Sequence, residues 1–319
     1  MNYSDIAILK DQNYDFLMSI PGVTAIGVGL IENDAMELTN DIGLIVYHED
    51  PDPALYDQIA KKVGEVPLQI RKGKFSEPKP GEKSKSLLRH KKEQTKQAPL
   101  STDPRNKKTD PMIGGISVSP DYWSWTESFG TLGFVVYDKN RKPVILSNEH
   151  VICRENPQVG DDVSQPYRVW FGDLAAKIIA WKKGNIEYKD RTYGIDAAIA
   201  SIAEGRSATV GEIYGFKDKP QGITSPQLGM EVIKSGVSSD ITKGRIDGFY
   251  DVKSPNMKNQ IGIRSGSGVF SEKGDSGSIV VDCKDNLVIG LLWGGNDELS
   301  LSLASPIVPI LHYFDCSLV

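Results

Sequence analysis

From Met112 onward the chain breaks into ten short runs rich in β-branched and aromatic residues, separated by Gly, Pro, Asn and Asp. They are Thr131 to Tyr137, Pro143 to Leu146, Ala176 to Trp181, Ala197 to Ile202, Glu231 to Lys234, Gly244 to Phe249, Gln260 to Arg264, Ser278 to Val281, Leu287 to Leu292 and Ser300 to Ala304. Runs of four to seven residues at this spacing read as strands, and so many of them predict an all-β barrel or sandwich pair. Pro306 to Phe314 closes the chain as a short helix, with Pro at its start.

The first 74 residues have another texture. Ser4 reads as the cap of a helix over residues 1–20 that Pro21-Gly22 ends, and Val23 to Leu30 and Ile42 to Tyr47 read as strands. Asp52-Pro53 starts a helix with Leu55, Ile59, Ala60 and Val63 on one face, and a third strand follows at Val66 to Ile70. This is a small α+β module over residues 1–74. Gly27-Val28-Gly29 lacks the third glycine of a dinucleotide loop, and no helix opens after it.

Residues 75–111 lose periodicity and read as a basic, flexible linker to a domain over residues 112–319. Residues 71–110 hold thirteen Lys or Arg against five Asp or Glu, in a chain of net charge −5. Phe75 is the single aromatic residue there, so stacking on bases is not expected and nucleic acid is an unlikely partner. Three cysteines, Cys153, Cys283 and Cys316, cannot all pair, the start carries no leader pattern, and no apolar run reaches bilayer length. A soluble cytoplasmic protein, off the membrane, is expected.

Chemistry concentrates at Lys273-Gly274-Asp275-Ser276-Gly277-Ser278. Glycines flanking an acid–serine pair suit a tight turn that presents a hydroxyl and aims backbone N–H groups at one point. A serine needs a general base and an orienting carboxylate. His150, just after an apolar strand, is preferred over His48, His90 and His312. Asp196, leading the apolar run Ala197 to Ile202, is preferred over Asp161, Asp162, Asp173 and Asp190. No Cys/His cluster has zinc spacing, and neither a metal nor a cofactor is expected.

The chain order His, Asp, Ser, with Thr131-Leu132-Gly133, Ile145-Leu146-Ser147-Asn148-Glu149-His150, Gly194-Ile195-Asp196-Ala197-Ala198 and Gly274-Asp275-Ser276-Gly277-Ser278, resembles the trypsin-like serine proteases. Gly114-Gly115-Ile116-Ser117-Val118, Val232-Ile233-Lys234-Ser235-Gly236 and Ile289-Gly290-Leu291-Leu292-Trp293 look most like a cytosolic group with bacterial members and the plant narrow-leaf proteins. Glu149 stands where pancreatic relatives carry a small residue, which puts a second carboxylate near His150.

The resemblance implies a mainly β, chymotrypsin-like double six-stranded barrel behind the small α+β module. Ser276 would attack a peptide carbonyl, His150 would carry the proton, Asp196 would orient the imidazole, and the N–H groups of Gly274 and Ser276 would hold the oxyanion. Phe270, six before the nucleophile, falls near the floor of the primary pocket in the resembled fold, and Trp293-Gly294-Gly295 looks like the edge that pairs with an extended substrate. Small or apolar residues before the scissile bond are therefore expected. Ile113-Gly114-Gly115 resembles the amino terminus that cleavage frees to pair with Asp275; the competing reading makes it the first strand, with Lys273 or backbone donors serving Asp275. The leading function is a serine endopeptidase acting on protein or peptide, with the module positioning substrate, restraining activity or meeting a regulatory partner. The alternative is a catalytically silent scaffold of the same fold.

Overall fold

The computed structural model describes residues 1–75, 103–121, 129–167, 173–266, 268–296 and 301–318. Most of the expected linker, residues 76–102, lies outside them, as does Ser300 of the last expected strand. Helix α1 (Tyr3–Gln12) is capped by Asn2, two residues earlier than Ser4 suggested. The Asn2 side chain accepts from the Asp5 amide at 3.0 Å and the Asp5 carboxylate accepts from the Asn2 amide at 3.2 Å, a reciprocal capping box. Helix α2 (Tyr14–Ser19), strand β1 (Val23–Glu32) and strand β2 (Leu38–His48) follow. Asp52 caps α3 (Pro53–Val63) through the Leu55 amide, and α3 carries the chain over to β3 (Leu68–Lys72), which runs parallel to β2. Leu55, Ile59 and Val63 of α3 pack with Ile6, Leu17, Ile26, Val28, Leu44 and Val46.

Strand β4 (Met112–Gly114) precedes a first sheet made of β5 (Ser117–Pro120), β6 (Gly130–Thr131), β7 (Phe134–Tyr137), β8 (Pro143–Ser147), β9 (Asp162–Ser164), β10 (Leu174–Tyr188) and β11 (Arg191–Ile202). Its order is β6-β5-β9-β10-β11-β8-β7, an open half-barrel, and the one-turn helix α4 (Glu149–Ile152) follows β8. Strand β12 (Ala208–Ile213) pairs in parallel with β4. The chain then continues through β13 (Gly222–Ile223), β14 (Glu231–Gly236), β15 (Asp240–Val252), β16 (Met257–Arg264), β17 (Ile279–Asp282), β18 (Leu287–Gly295), β19 (Ser302–Pro306) and helix α5 (Ile307–Tyr313).

Strands β14-β17-β18-β19-β16-β15 form a sheet whose ends, β14 and β15, also pair, which closes a six-stranded barrel. The mainly β, two-barrel fold expected from the sequence is the one found, with the first barrel left as a half. The α+β module is built into the second barrel's sheet. Strand β15 gives one edge to β14 over residues 240–245 and then to β1 over residues 248–252, so β1, β2 and β3 extend the sheet outward. A buried ionic cluster locks that seam. Asp247, wholly buried, lies 2.8 Å from Arg71 Nη1 on β3 and 2.6 Å from Arg264 Nε on β16, and Arg71 Nη2 donates to the Leu30 carbonyl at 2.6 Å. Burying an aspartate this deeply is tolerable because two guanidinium groups surround it. The pull of the neighbouring acidic groups holds both arginines above their ordinary pKa despite burial.

Candidate active site

Alternation along β11 sets the first half of the site. Ile195, Ala197 and Ile199 face the core shared with α5, β17 and β18, whereas Ala198 and Ala200 face the half-barrel interior. Asp196 belongs to the second face and is 1% exposed. Strand β8 delivers α4 beside it, because Val151 and Ile152 bury themselves with Ile116, Leu132, Ile145 and Ala198. Three hydrogen bonds then join α4 to β11. The Asn148 side-chain amide donates to the Asp196 carbonyl at 2.7 Å, the His150 amide donates to Asp196 Oδ1 at 3.3 Å, and His150 Nδ1 lies 2.6 Å from Asp196 Oδ2.

Burial pushes the Asp196 carboxyl up, but the imidazole charge, its hydrogen bond and Lys183 outweigh that and hold it below the usual carboxylate value. In the neutral ring with Nδ1–H donated to Asp196, the other nitrogen of His150 carries a lone pair. That atom, Nε2, is buried and has no hydrogen-bond partner among the described residues, a costly condition in a core and one suited to accepting a proton. Glu149 Oε2 lies 4.0 Å from Nζ of Lys183, the residue paired with Asp196 across β10 and β11. Burial raises the thiol of nearby Cys153 well above its ordinary value, so it is a poor nucleophile.

The loop before β17 supplies the other half. Gly274 and Gly277 adopt φ of +104° and +95°. A Cβ on Gly277 would sit 2.1 Å from the Thr131 carbonyl oxygen and 2.4 Å from Ser147 Oγ, so glycine is required for the loop to reach the half-barrel. The Thr131 amide donates to the Ser276 carbonyl at 2.8 Å and Thr131 Oγ1 to the Gly274 carbonyl at 2.9 Å. Space at Gly130 is bounded by Val151 of α4 on one side and the Ser276 carbonyl on the other. The structure thus brings His150, Asp196 and Ser276 to one junction between the barrels. Ser276 Oγ itself donates to the Trp293 carbonyl at 3.2 Å.

Two peptide planes in this loop are fixed through their carbonyls. Lys273 C=O accepts from Ser238 Oγ at 2.6 Å, and Asp275 C=O accepts from the Ser278 amide at 2.9 Å and from Ser278 Oγ at 2.6 Å. In a trans peptide the N–H points opposite to the C=O, so the amides of Gly274 and Ser276 are oriented too. Neither has a partner among the described residues.

Asp275 is wholly buried and saturated with donors: the amides of Ser238, Ser239 and Glu272 at 2.8, 3.1 and 2.9 Å, Ser239 Oγ at 2.5 Å, and Lys234 Nζ at 3.1 Å. Lys234 on β14 supplies a buried cation to it. Burial pushes the Lys234 ammonium below the ordinary lysine value, with Asp275 pulling the other way. Sequence reasoning gave Lys234 no role, although a lysine directly after the apolar pair Val232-Ile233 in a strand was a signal for a buried partner. Ile113-Gly114 lies in β4, paired with β12, and the Gly115 amide donates to the Leu132 carbonyl at 2.7 Å. The segment is a strand, as the competing reading had it.

Phe270 is 1% exposed and packs in the closed barrel with Val232, Ile246, Val280 and Leu292. Trp293 turns its side chain inward, its indole N–H donating to Gln260 Oε1 at 2.6 Å, and offers the site its carbonyl alone. Gly294 follows it on β18, where Gly294 pairs with Leu303 of β19. Among the described residues no group of three or more His, Cys, Asp or Glu is placed to hold a metal, and no helix is long and apolar enough to cross a membrane.

No protein-family model matches the chain, and no curated protein does. Similar solved structures include a Nocardiopsis protease and Cellulomonas bogoriensis chymotrypsin, each 18% identical at a TM-score of 0.47, covering 64% and 65% of this chain and 97% of those chains. Thermobifida fusca protease A is 19% identical at a TM-score of 0.46, over 64% of this chain and 96% of its own. A glutamic acid-specific serine protease is 15% identical at 0.47, over 65% of this chain and 99% of its own. At these values the likeness is one of chain path, and the functional reading rests on the site's own geometry.

Proposed function

We propose that the chain is a serine endopeptidase that hydrolyses peptide bonds through an acyl-enzyme intermediate. The observation that carries this is the His150–Asp196 pair with its unpartnered Nε2, set at the same junction as Ser276. Rotation about Ser276 χ1 releases Oγ from the Trp293 carbonyl and presents it to Nε2 when substrate enters. His150 takes the hydroxyl proton as Oγ attacks the carbonyl carbon, then returns it to the leaving amine. Asp196 keeps Nδ1 protonated and stabilises the imidazolium. Water repeats the cycle to release the acyl group. The amides of Gly274 and Ser276 receive the oxyanion, and one such donor is worth about 2.7–4 kcal/mol of transition-state stabilisation.

The substrate is a protein or peptide docked along Trp293-Gly294-Gly295, with small or apolar residues before the cut. All three cysteines are unpaired, which supports a reducing cytoplasm. The segments resembling the cytosolic bacterial and plant group support placing the chain there. Because Asp275 already has Lys234, activity needs no cleavage before Ile113.

Fluorophosphonate labelling of the full chain tests the reading, with Ser276→Ala and His150→Ala alongside. Labelling of the parent protein, lost in both variants, is the expected result. A silent scaffold is favoured by one observation, the hydroxyl of Ser276 held on Trp293 rather than on His150. An unlabelled parent protein would decide for that second reading.

A further inference from the structure

Strand β18 has two edges, and one of them is occupied by β13 at Leu287 and Val288 and by β19 from Gly290 onward. Strand β19 holds it through Gly294↔Leu303 and Gly295↔Ser302, and the Asn296 amide then donates to the Leu301 carbonyl at 3.0 Å. The opposite edge is filled first by β17, through Val281↔Val288, Val280↔Gly290 and Ile279↔Leu291. The nucleophile loop comes next, where the Gly277 amide donates to the Leu292 carbonyl at 2.8 Å and Ser276 Oγ to the Trp293 carbonyl at 3.2 Å. At Gly294 and Gly295 no described strand pairs with this edge. At Asn296 it is taken again, by an antiparallel bridge to Phe75.

Phe75 is firmly placed. Its side chain is 4% exposed and meets the Tyr47 ring edge-on, centroids 5.2 Å apart, in a cluster that includes Trp293, Tyr250 and Leu303. The chain reaching it is tied to the module, since the Gly73 amide donates to the His48 carbonyl at 3.0 Å and Thr24 Oγ1 donates to the Gly73 carbonyl at 2.7 Å. The end of the α+β module therefore stands as a wall on the open edge.

We propose that Phe75 is a specificity-determining residue that limits how many substrate residues are recognised before the scissile bond; this rests on the endopeptidase reading for its catalytic form. A peptide added antiparallel to β18 starts opposite Trp293 and moves away from Ser276 toward Asn296. Three strand steps cover about 10 Å, so about three residues pair before the peptide meets Phe75. A fourth has no free backbone partner. The module thus acts as a ruler, and peptides extended beyond three residues gain no affinity from their added length.

The test uses acetylated, sequence-randomised peptide pools of two to six residues, each ending in a fluorogenic amide. Cleavage is followed on the full chain, and competition binding of the same pools on Ser276→Ala, which needs no chemistry. The expected result is a rise in kcat/KM and in affinity up to three residues and a plateau beyond. In Phe75→Ala both should keep rising, by about fivefold or more from three to five residues, the yield from two further strand hydrogen bonds. Phe75→Leu, which keeps an apolar wall, should retain the parent profile, and thermal melts show which variants are folded. A parent profile that climbs past three residues overturns the proposal whatever the variants do, as does an unchanged plateau in folded Phe75→Ala. Binding that follows the ruler without cleavage or fluorophosphonate labelling would sink the endopeptidase reading and leave the ruler standing.

Discussion

Replacing Lys234 with Met removes a buried ammonium while keeping most of the stem that fills its place in β14. Lys234 is wholly buried, and its Nζ contacts Asp275 Oδ2 at 3.1 Å, Ser239 Oγ at 2.5 Å and the Asp240 carbonyl at 3.1 Å. Removing one partner of a buried ion pair costs about 3–5 kcal/mol. Asp275 keeps three amides and one hydroxyl as donors, each worth roughly 1.5–3 kcal/mol to a charged acceptor, so the lower end, about 3 kcal/mol, is expected. At about 2–4 °C per kcal/mol this lowers Tm by roughly 6–12 °C. The consequence for chemistry follows from position. The Asp275 carbonyl and the Ser276 amide belong to one peptide, so a loosened Asp275 misaims an oxyanion donor. Losing one such donor slows fluorophosphonate labelling by about a hundredfold or more. Melting curves and labelling rates on the intact, uncleaved chain are the assay. A variant that melts within about 1 °C of the parent and labels within about threefold of it would refute the idea that Lys234 holds this loop.

Gly277→Ala forces a Cβ against the Thr131 carbonyl oxygen at φ +95°, so labelling should be lost in protein that still folds, as circular dichroism would show; normal labelling would count against the close approach. Asp247→Ala strips Arg71 and Arg264 of their shared carboxylate and should cost about 3–5 kcal/mol in urea unfolding, whereas an unmoved midpoint would mean the seam holds without it. The Asp196 carboxyl sits below its unfolded value, so the unfolded chain takes up that proton first. The stability it confers is complete above about pH 5 and drains away as pH falls through the native value. Thermal melts from about pH 3 to 7 should show a shallower acid slope in Asp196→Asn; equal slopes would contradict the assignment.

The candidate trio stands out in the sequence because each member sits in a local pattern. Gly-Asp-Ser-Gly suits a turn, Asp196 leads an apolar strand run whose alternation fixes its face, and His150 sits on the one-turn helix that follows an apolar strand. Asp52-Pro53 was readable as a helix start for the same local reason. The module's attachment to the closed barrel was not, because β1 pairs with β15 through backbone hydrogen bonds that carry no side-chain signature. Lys234 was hidden in a similar way. The acids near it in sequence, Glu231 and Asp240, are not the carboxylate it pairs with, and its partner Asp275 is 41 residues away. Ser4 looked like a cap only because Asn2, at the chain start, was not weighed against it.

The shared edge of β15 also sets a timetable for synthesis. Ala25 on β1 must wait for Val252, 252 − 25 = 227 residues later, before its second edge is covered. At about 5–20 residues per second the ribosome needs roughly 10–45 s to deliver that partner. Throughout that interval a buried-type strand, Val-Thr-Ala-Ile-Gly-Val-Gly-Leu, faces the cell with half its hydrogen bonds unmet. The chain's most aggregation-exposed moment therefore comes early in its life, and a chaperone that shields extended apolar strands would act on β1 first.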